Sequence, residues 1–167
     1  PALASDTAIV IHGGAGTILK EKMSESVEAD YRQALKLSVM TGHKILETGG
    51  TSTEAVIAAI KIMEDSPLFN AGRGAAFNHD GKVELDASIM NGDDLSAGAT
   101  TGVQTIRNPI LLALAILNNS PHVMLMGRGA EAFGRRCEGE EEGGKASSST
   151  TLGLQERHSC KDRPEAA

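Results

Sequence analysis

Two glycine-rich segments carry most of the chemistry that the residue types of this chain could perform. The first, His12-Gly13-Gly14-Ala15-Gly16-Thr17, directly follows the apolar run Ala8-Ile9-Val10-Ile11. A glycine loop at a helix start can cradle a phosphate on its backbone N–H groups. Both specific tests fail here, because no Gly-Lys-[Ser/Thr] is present and a dinucleotide fingerprint from Gly14 would need glycine where Leu19 stands. A tight turn is the reading composition favours, and a backbone whose N–H groups face an active site is the third option. The second segment is Phe69-Asn70-Ala71-Gly72-Arg73-Gly74, behind Pro67. There Asn70 could position a reacting group or simply cap the loop.

Other groups offer less. Glu84 and Asp86 alternate onto one strand face, where a solvated surface is a commoner outcome than a catalytic carboxylate pair. His12, His43, His79 and His122 are scattered without the spacing of a transition-metal site, and His12, ending the apolar run, is the best placed of them. Asn91-Gly92-Asp93-Asp94 lacks the ligand order of a calcium loop and reads as a hairpin turn. No Gly-x-Ser-x-Gly elbow and no Cys/His nucleophile pair occurs.

Composition narrows the class. The 167 residues are 40% hydrophobic and 23% charged, with a formal charge of -6. That is room for one domain or for part of a larger one. Tyr31, Phe69, Phe77 and Phe133 are the whole aromatic complement, so stacking platforms for single-stranded nucleic acid are not expected. The acidic balance argues equally against a phosphate-backbone binder. No apolar run approaches the ~20 residues of a membrane span, and no secretory pattern opens the chain. Cys137 and Cys160 are too few for a disulfide scaffold or zinc cluster and read as incidental thiols. A soluble, cytoplasmic protein is the expectation. Residues 134–167, with Glu138-Gly139-Glu140-Glu141-Glu142-Gly143-Gly144 and a serine-threonine run, are expected to be a divergent, disordered tail behind a globular body at 1–133.

The elements that must position these residues follow from periodicity. Residues 8–11 read as a buried strand. One helical face (Val27, Tyr31, Leu35, Val39, Ile45, Leu46) predicts a helix over 26–48, stopped by Gly49-Gly50. Thr51 and Glu54 predict a capping box for a second helix, with a stripe of Ala55, Val56, Ala59, Ile60 and Met63. Asn78-His79-Asp80-Gly81 predicts a turn, after which Val83, Leu85, Ala87 and Ile89 alternate with polar residues as a half-buried strand. Residues 97–106 resume the extended pattern. Asn108 as cap and Pro109 at the first position predict a helix to Leu117, apolar nearly all round and hence buried. Residues 123–126 predict a strand and 130–133 the start of a helix. The order β-αα-βββ-α-β-α implies an α+β fold with an antiparallel sheet.

Four segments taken together, in order and spacing, resemble one family. They are Ile11-His12-Gly13-Gly14-Ala15-Gly16, Ser66-Pro67-Leu68-Phe69-Asn70-Ala71-Gly72-Arg73-Gly74, Glu84-Leu85-Asp86-Ala87-Ser88-Ile89-Met90-Asn91-Gly92, and Ser120-Pro121-His122-Val123-Met124. This is similar to the N-terminal, α-subunit portion of plant-type L-asparaginase/isoaspartyl peptidases, which are N-terminal-nucleophile hydrolases. The resemblance implies an αββα sandwich shared by α and β subunits, of which this chain holds the N-terminal part. It also implies a precursor that cuts itself before the threonine of a Gly-Thr-Val-Gly motif. The freed threonine attacks the side-chain amide of asparagine or of isoaspartyl dipeptides, with its own α-amine as base.

No Gly-Thr-Val-Gly is present; Thr151-Leu152-Gly153, preceded by Thr150, is the nearest echo. No catalytic residue therefore carries over, and the chain alone is expected to be inactive, its end truncated, alternatively spliced or frameshifted. Supporting positions do carry over. His12, Gly13 and Gly14 match a strained turn near the catalytic threonine, and Asn70 matches an asparagine beside the site. Met63, Glu64, Ser66, Phe69, Ala71 and Arg73 match a loop that wraps a structural sodium ion with main-chain oxygens. The implied partners are the small amide substrate, a β subunit and a second αβ unit. Alternatives are a threonine aspartase or glycosylasparaginase, a non-catalytic partner of a full-length homologue, and a small nucleotide-binding module.

Overall fold

A computed structural model describes residues 7–14 and 20–138. The chain divides into two compact units, residues 1–76 and 77–167.

The first unit is a helix pair with its loops. Helix α1 (Glu25–Glu47) starts at Ser24, whose hydroxyl accepts the Val27 N–H at 3.3 Å, and Glu25 and Glu28 suit the positive end of the helix dipole. Gly49, at φ +84, lets the chain turn back so that the Gly50 N–H reaches the Ile45 carbonyl at 2.9 Å. Helix α2 (Ser52–Glu64) opens with the predicted capping box. The Thr51 hydroxyl accepts the Glu54 N–H at 3.2 Å, and the Glu54 carboxylate accepts the Thr51 N–H at 2.7 Å.

The helices meet on small residues. The buried positions of α1 are Ser38 and Gly42, not the larger stripe predicted from periodicity, whose Val27 is 39% exposed. A Cβ on Gly42 would lie 2.8 Å from the Ala55 carbonyl and 3.4 Å from the Ala59 Cβ, and Ser38 Oγ donates to the Ala59 carbonyl at 2.8 Å. Close backbone approach explains the reversal, since bulky residues cannot occupy the crossing itself and are left on its flanks. The predicted α2 stripe is buried at Ala55, Ala59 and Met63, with Val56 and Ile60 half-buried.

Residues 8–11 correct the buried-strand expectation. Among the described residues they pair with no strand, and Val10 is 91% exposed. An apolar run makes a buried strand only when a ladder and a covering layer accompany it, and neither is found among the described residues. Ile9 still packs, its Cδ1 lying 2.5 Å from the position of a Gly42 Cβ.

The second unit is a three-stranded sheet with two helices. Asn78 Oδ1 accepts the N–H groups of Asp80 and Lys82 at 3.0 and 2.9 Å, and Gly81 takes φ +71, so the predicted turn forms and Phe77 bridges Val83. Strand β1 (Leu85–Met90) alternates as predicted, with Leu85 and Ile89 buried. It pairs antiparallel with β2 (Ala97–Val103), and β2 pairs with β3 (Met124–Met126) in the order β1-β2-β3. The second pairing is parallel, which corrects the expectation of a wholly antiparallel sheet. Between β2 and β3 the chain crosses as helix α3 (Pro109–Asn119), and such a crossover is what a parallel return requires.

Pro109 begins α3 as predicted, but the Asn108 side chain makes no cap bond, so proline geometry alone sets the start. Ile110, Leu111, Leu112, Ala113, Ala115 and Ile116 are all buried, as an all-round apolar helix demands. Helix α4 (Gly127–Glu138) runs five residues past Phe133, further than its periodicity suggested. Cys137 lies in its last turn. Residues 139–167, with the expected tail and Cys160, and Ala15, Gly16 and Thr17 lie outside the described residues. Helices over a small mixed sheet make the fold α+β.

Candidate functional site

The first unit brings the supporting residues together around one side chain. His12 Nδ1 accepts the Gly14 N–H at 3.3 Å, which places the proton of the neutral imidazole on Nε2. His12 is itself exposed, a correction to its expected place at the end of a buried strand. Gly14 takes φ +120, a conformation that a side chain would resist, so the glycine turn is a required geometry and not mere composition. A Cβ on Gly13 would lie 2.8 Å from Leu35 Cδ2 and 3.4 Å from Phe69 Cε1. Phe69 is 3% exposed, and Asn70, the next residue, is exposed.

Asn70 is tied down at one end. Its Oδ1 accepts the Ala76 N–H at 2.8 Å. With the oxygen engaged, the side chain meets a ligand with its amide N–H groups, which makes it a donor suited to an oxyanion or a carboxylate. The loop-bracing reading of Asn70 is thus met by its oxygen, in a residue that is itself exposed.

The loop at 63–73 folds back on the end of α2. Met63 and Glu64 are the last residues of the helix and both are buried. The Met63 carbonyl accepts the Ser66 N–H at 3.2 Å, the Phe69 carbonyl accepts from Ala71 at 2.8 Å, and the Ala71 carbonyl accepts from Gly74 at 3.0 Å. Gly72, at φ +48, sits where any Cβ would collide with the Glu64 carbonyl, and a Cβ on Gly74 would collide with that of Phe69. Gly72 and Gly74 thus let the loop backbone approach the Glu64 and Phe69 carbonyls closely, and a carbonyl that accepts one internal bond keeps a second lone pair. Among the described residues no three His, Cys, Asp or Glu cluster as ligands, so a cation here would be a hard ion on main-chain oxygen. The Met63, Glu64, Ser66, Phe69, Ala71 and Arg73 positions fit that donor chemistry.

The Glu84 and Asp86 pair in the second unit does structural duty. Opposite Asp86 the β1–β2 register shifts, with Gly102 at φ +64, and Asp86 Oδ1 accepts the Thr101 hydroxyl at 2.6 Å and the Gly102 N–H at 2.9 Å. The Thr101 hydroxyl, then the Gly102 N–H, hold the Asp86 carboxyl below the usual carboxylate range. Glu84 Oε1 accepts from Gln104 Nε2 at 3.2 Å. Sequence reading missed Glu131, a buried α4 carboxylate that accepts the N–H groups of Gln104 and Thr105 at 2.6 and 2.9 Å. A glutamate flanked by two alanines near the start of a short helix was the available signal.

Relatives fix the family. A family model described as asparaginase (Asparaginase_2) matches residues 5–165. The isoaspartyl peptidase of Escherichia coli K12 is 49% identical over 125 residues, 75% of this chain and 39% of that protein. The plant-type L-asparaginase of Pyrococcus furiosus is 45% identical over 128 residues, 77% of this chain and 40% of that protein. The isoaspartyl peptidase/L-asparaginase of Bos taurus is 43% identical over 125 residues, 75% of this chain and 39% of that protein. The chain spans about two fifths of the length of these curated relatives. With a family model matched along most of its length, the chain belongs to the asparaginase family.

Proposed function

We propose that this chain is the scaffold half of a hydrolase that cleaves the side-chain amide of asparagine or the isopeptide bond of isoaspartyl dipeptides. The observation that carries the reading is the exposed Asn70, braced through Oδ1 by the Ala76 N–H, which leaves its amide N–H groups as the donors it can offer. Hydrolysis of an amide passes through a tetrahedral oxyanion, and a fixed donor aimed at that charge costs no reorganisation as it develops. The His12-Gly13-Gly14 turn supplies the second constrained backbone of the site. The attacking hydroxyl is a threonine of a β subunit, absent from this sequence along with Gly-Thr-Val-Gly, and so the chain alone is inactive. Its α-amine, with a pKa near about 8, would take the hydroxyl proton. A sodium ion held by the carbonyls of Met63, Glu64, Ser66, Phe69, Ala71 and Arg73 would stiffen the loop that carries Asn70. The αββα sandwich closes when the second subunit lays its sheet against this one.

The test pairs the chain with a β subunit of the family that begins at its threonine. The chain alone should release no ammonia from L-asparagine, the reconstituted pair should, and Asn70→Ala in the pair should lower kcat by about 10²-fold or more. Turnover by the isolated chain, or a pair indifferent to Asn70→Ala, would overturn the proposal.

A further inference from the structure

Phe69 is 3% exposed and lies between the glycine turn and the loop that carries Asn70. Its ring meets that of Tyr31 edge-on, with centroids 5.8 Å apart and planes at 81°. Its Cε1 lies 3.4 Å from the place of a Gly13 Cβ, while Leu35 Cδ2 closes on that place at 2.8 Å. Its backbone leads directly to Asn70, and its carbonyl accepts the Ala71 N–H at 2.8 Å. Residues 13 and 70 are distant in sequence, yet both are referenced to one flat, stiff side chain. An aromatic ring has two side-chain torsions, and edge-to-face packing adds directional preference beyond area burial. The ring packed on Tyr31 lies beside the Gly13 backbone, in the space a side chain there would enter.

We propose that Phe69 is a positioning residue whose ring holds the glycine turn and Asn70 in a common register. The purpose of that register rests on the hydrolase reading; the coupling itself does not. Gly13 belongs to the same device, because a side chain there would meet Leu35.

The experiment measures backbone amide order by ¹⁵N relaxation in the 167-residue chain. Gly13, Gly14 and Asn70 should sit near the rigid value of about 0.85 and fall below about 0.6 in Phe69→Leu. Ala55 and Ala59, at the helix crossing, should keep their values. Phe69→Tyr, which restores the ring, should restore all three amides, and the control Val56→Ala should leave them unchanged. If Phe69→Leu unfolds the first unit, Tyr31→Leu decides, and it should loosen Gly13 and Asn70 with the helices intact. Amides that stay rigid in the decisive variant, or that Phe69→Tyr fails to restore, overturn the proposal. Turnover enters none of these readouts, so a failed reconstitution assay would remove the hydrolase reading without touching this one.

Discussion

The two faces of the sheet in the second unit are built from the same three strands and meet opposite fates. One face carries Leu85, Ile89, Gly98 and Thr100, all buried, with α3 packed on the strands that hold them. The other carries Met90, Ala97, Ala99, Thr101, Met124 and Met126, with the methionines 60%, 54% and 71% exposed in chain order. Polarity is only part of the difference, because Asp86 and Ser88 lie on the open face but a polar residue, Thr100, lies on the closed one. The closed face includes a Thr100 hydroxyl with no hydrogen-bond partner among the described residues, while the open face is the richer in methionine. Shape distinguishes them: the closed face has a glycine where a helix must come near. Burial in this unit thus follows which layer the described residues supply.

The harshest way to break this comparison is Gly98→Val. A Cβ at Gly98 would collide with the Ala113 carbonyl and lie 2.5 Å from the Leu117 nitrogen, both backbone atoms of α3 that cannot step aside as a side chain could. Unfolding in urea should show a loss of at least about 3 kcal/mol, the upper range of overpacking costs. A variant within about 1 kcal/mol of the parent would mean that α3 is not seated on this face.

Much of this architecture could be read from residues, and the parts that could not share a cause. Local signals were faithful: the Thr51 and Glu54 box, the Asn78 to Gly81 turn, Pro109 at a helix start and the β1 alternation all appear where spacing placed them. Each depends on neighbours a few residues away. Ser38 and Gly42 escaped notice because periodicity weights large residues, although Ala55 and Ala59 share their four-residue spacing. The strand predicted at 8–11 and the expectation of an antiparallel sheet throughout failed because partner and direction are set by distant chain. For the candidate site, the glycine turn and Asn70 were visible as residue types. That the Asn70 oxygen is held by Ala76, and that Phe69 packs on Tyr31 beside the glycine turn, depends on contacts no local pattern encodes.

A smaller and pH-dependent effect belongs to the open face. Asp86 closes the β1–β2 bulge by accepting from Thr101 and Gly102, the interactions that lower its pKa. A carboxyl depressed in the folded state contributes stability that is present above its unfolded pKa of about 3.9 and is lost as pH falls through the folded value. Asp86→Ala should therefore cost about 1 kcal/mol at neutral pH, since the group is mostly solvated, and the cost should vanish under strong acid. Urea midpoints at pH 7 and in strong acid test this. A penalty that persisted unchanged at the lower pH would assign the effect to the bulge backbone and not to the charge.

The mildest change sharpens the comparison most. Met126 is 71% exposed at the edge of the sheet, so Met126→Ser removes apolar surface that the chain alone never buries. Stability should move by no more than about 0.5 kcal/mol, as for other surface substitutions. Binding of a dye that reports exposed apolar surface should decrease, because contiguous patches of this kind are sticky until covered. In the pair reconstituted with a β subunit the same substitution should weaken assembly, since flexible thioethers fit themselves to an incoming layer and a serine hydroxyl would be buried there. A variant that is neutral alone but impaired in the pair would show that the open face is an interface in waiting. Neutrality in both would leave it as ordinary surface, and would remove the sheet-on-sheet closure from the proposed architecture.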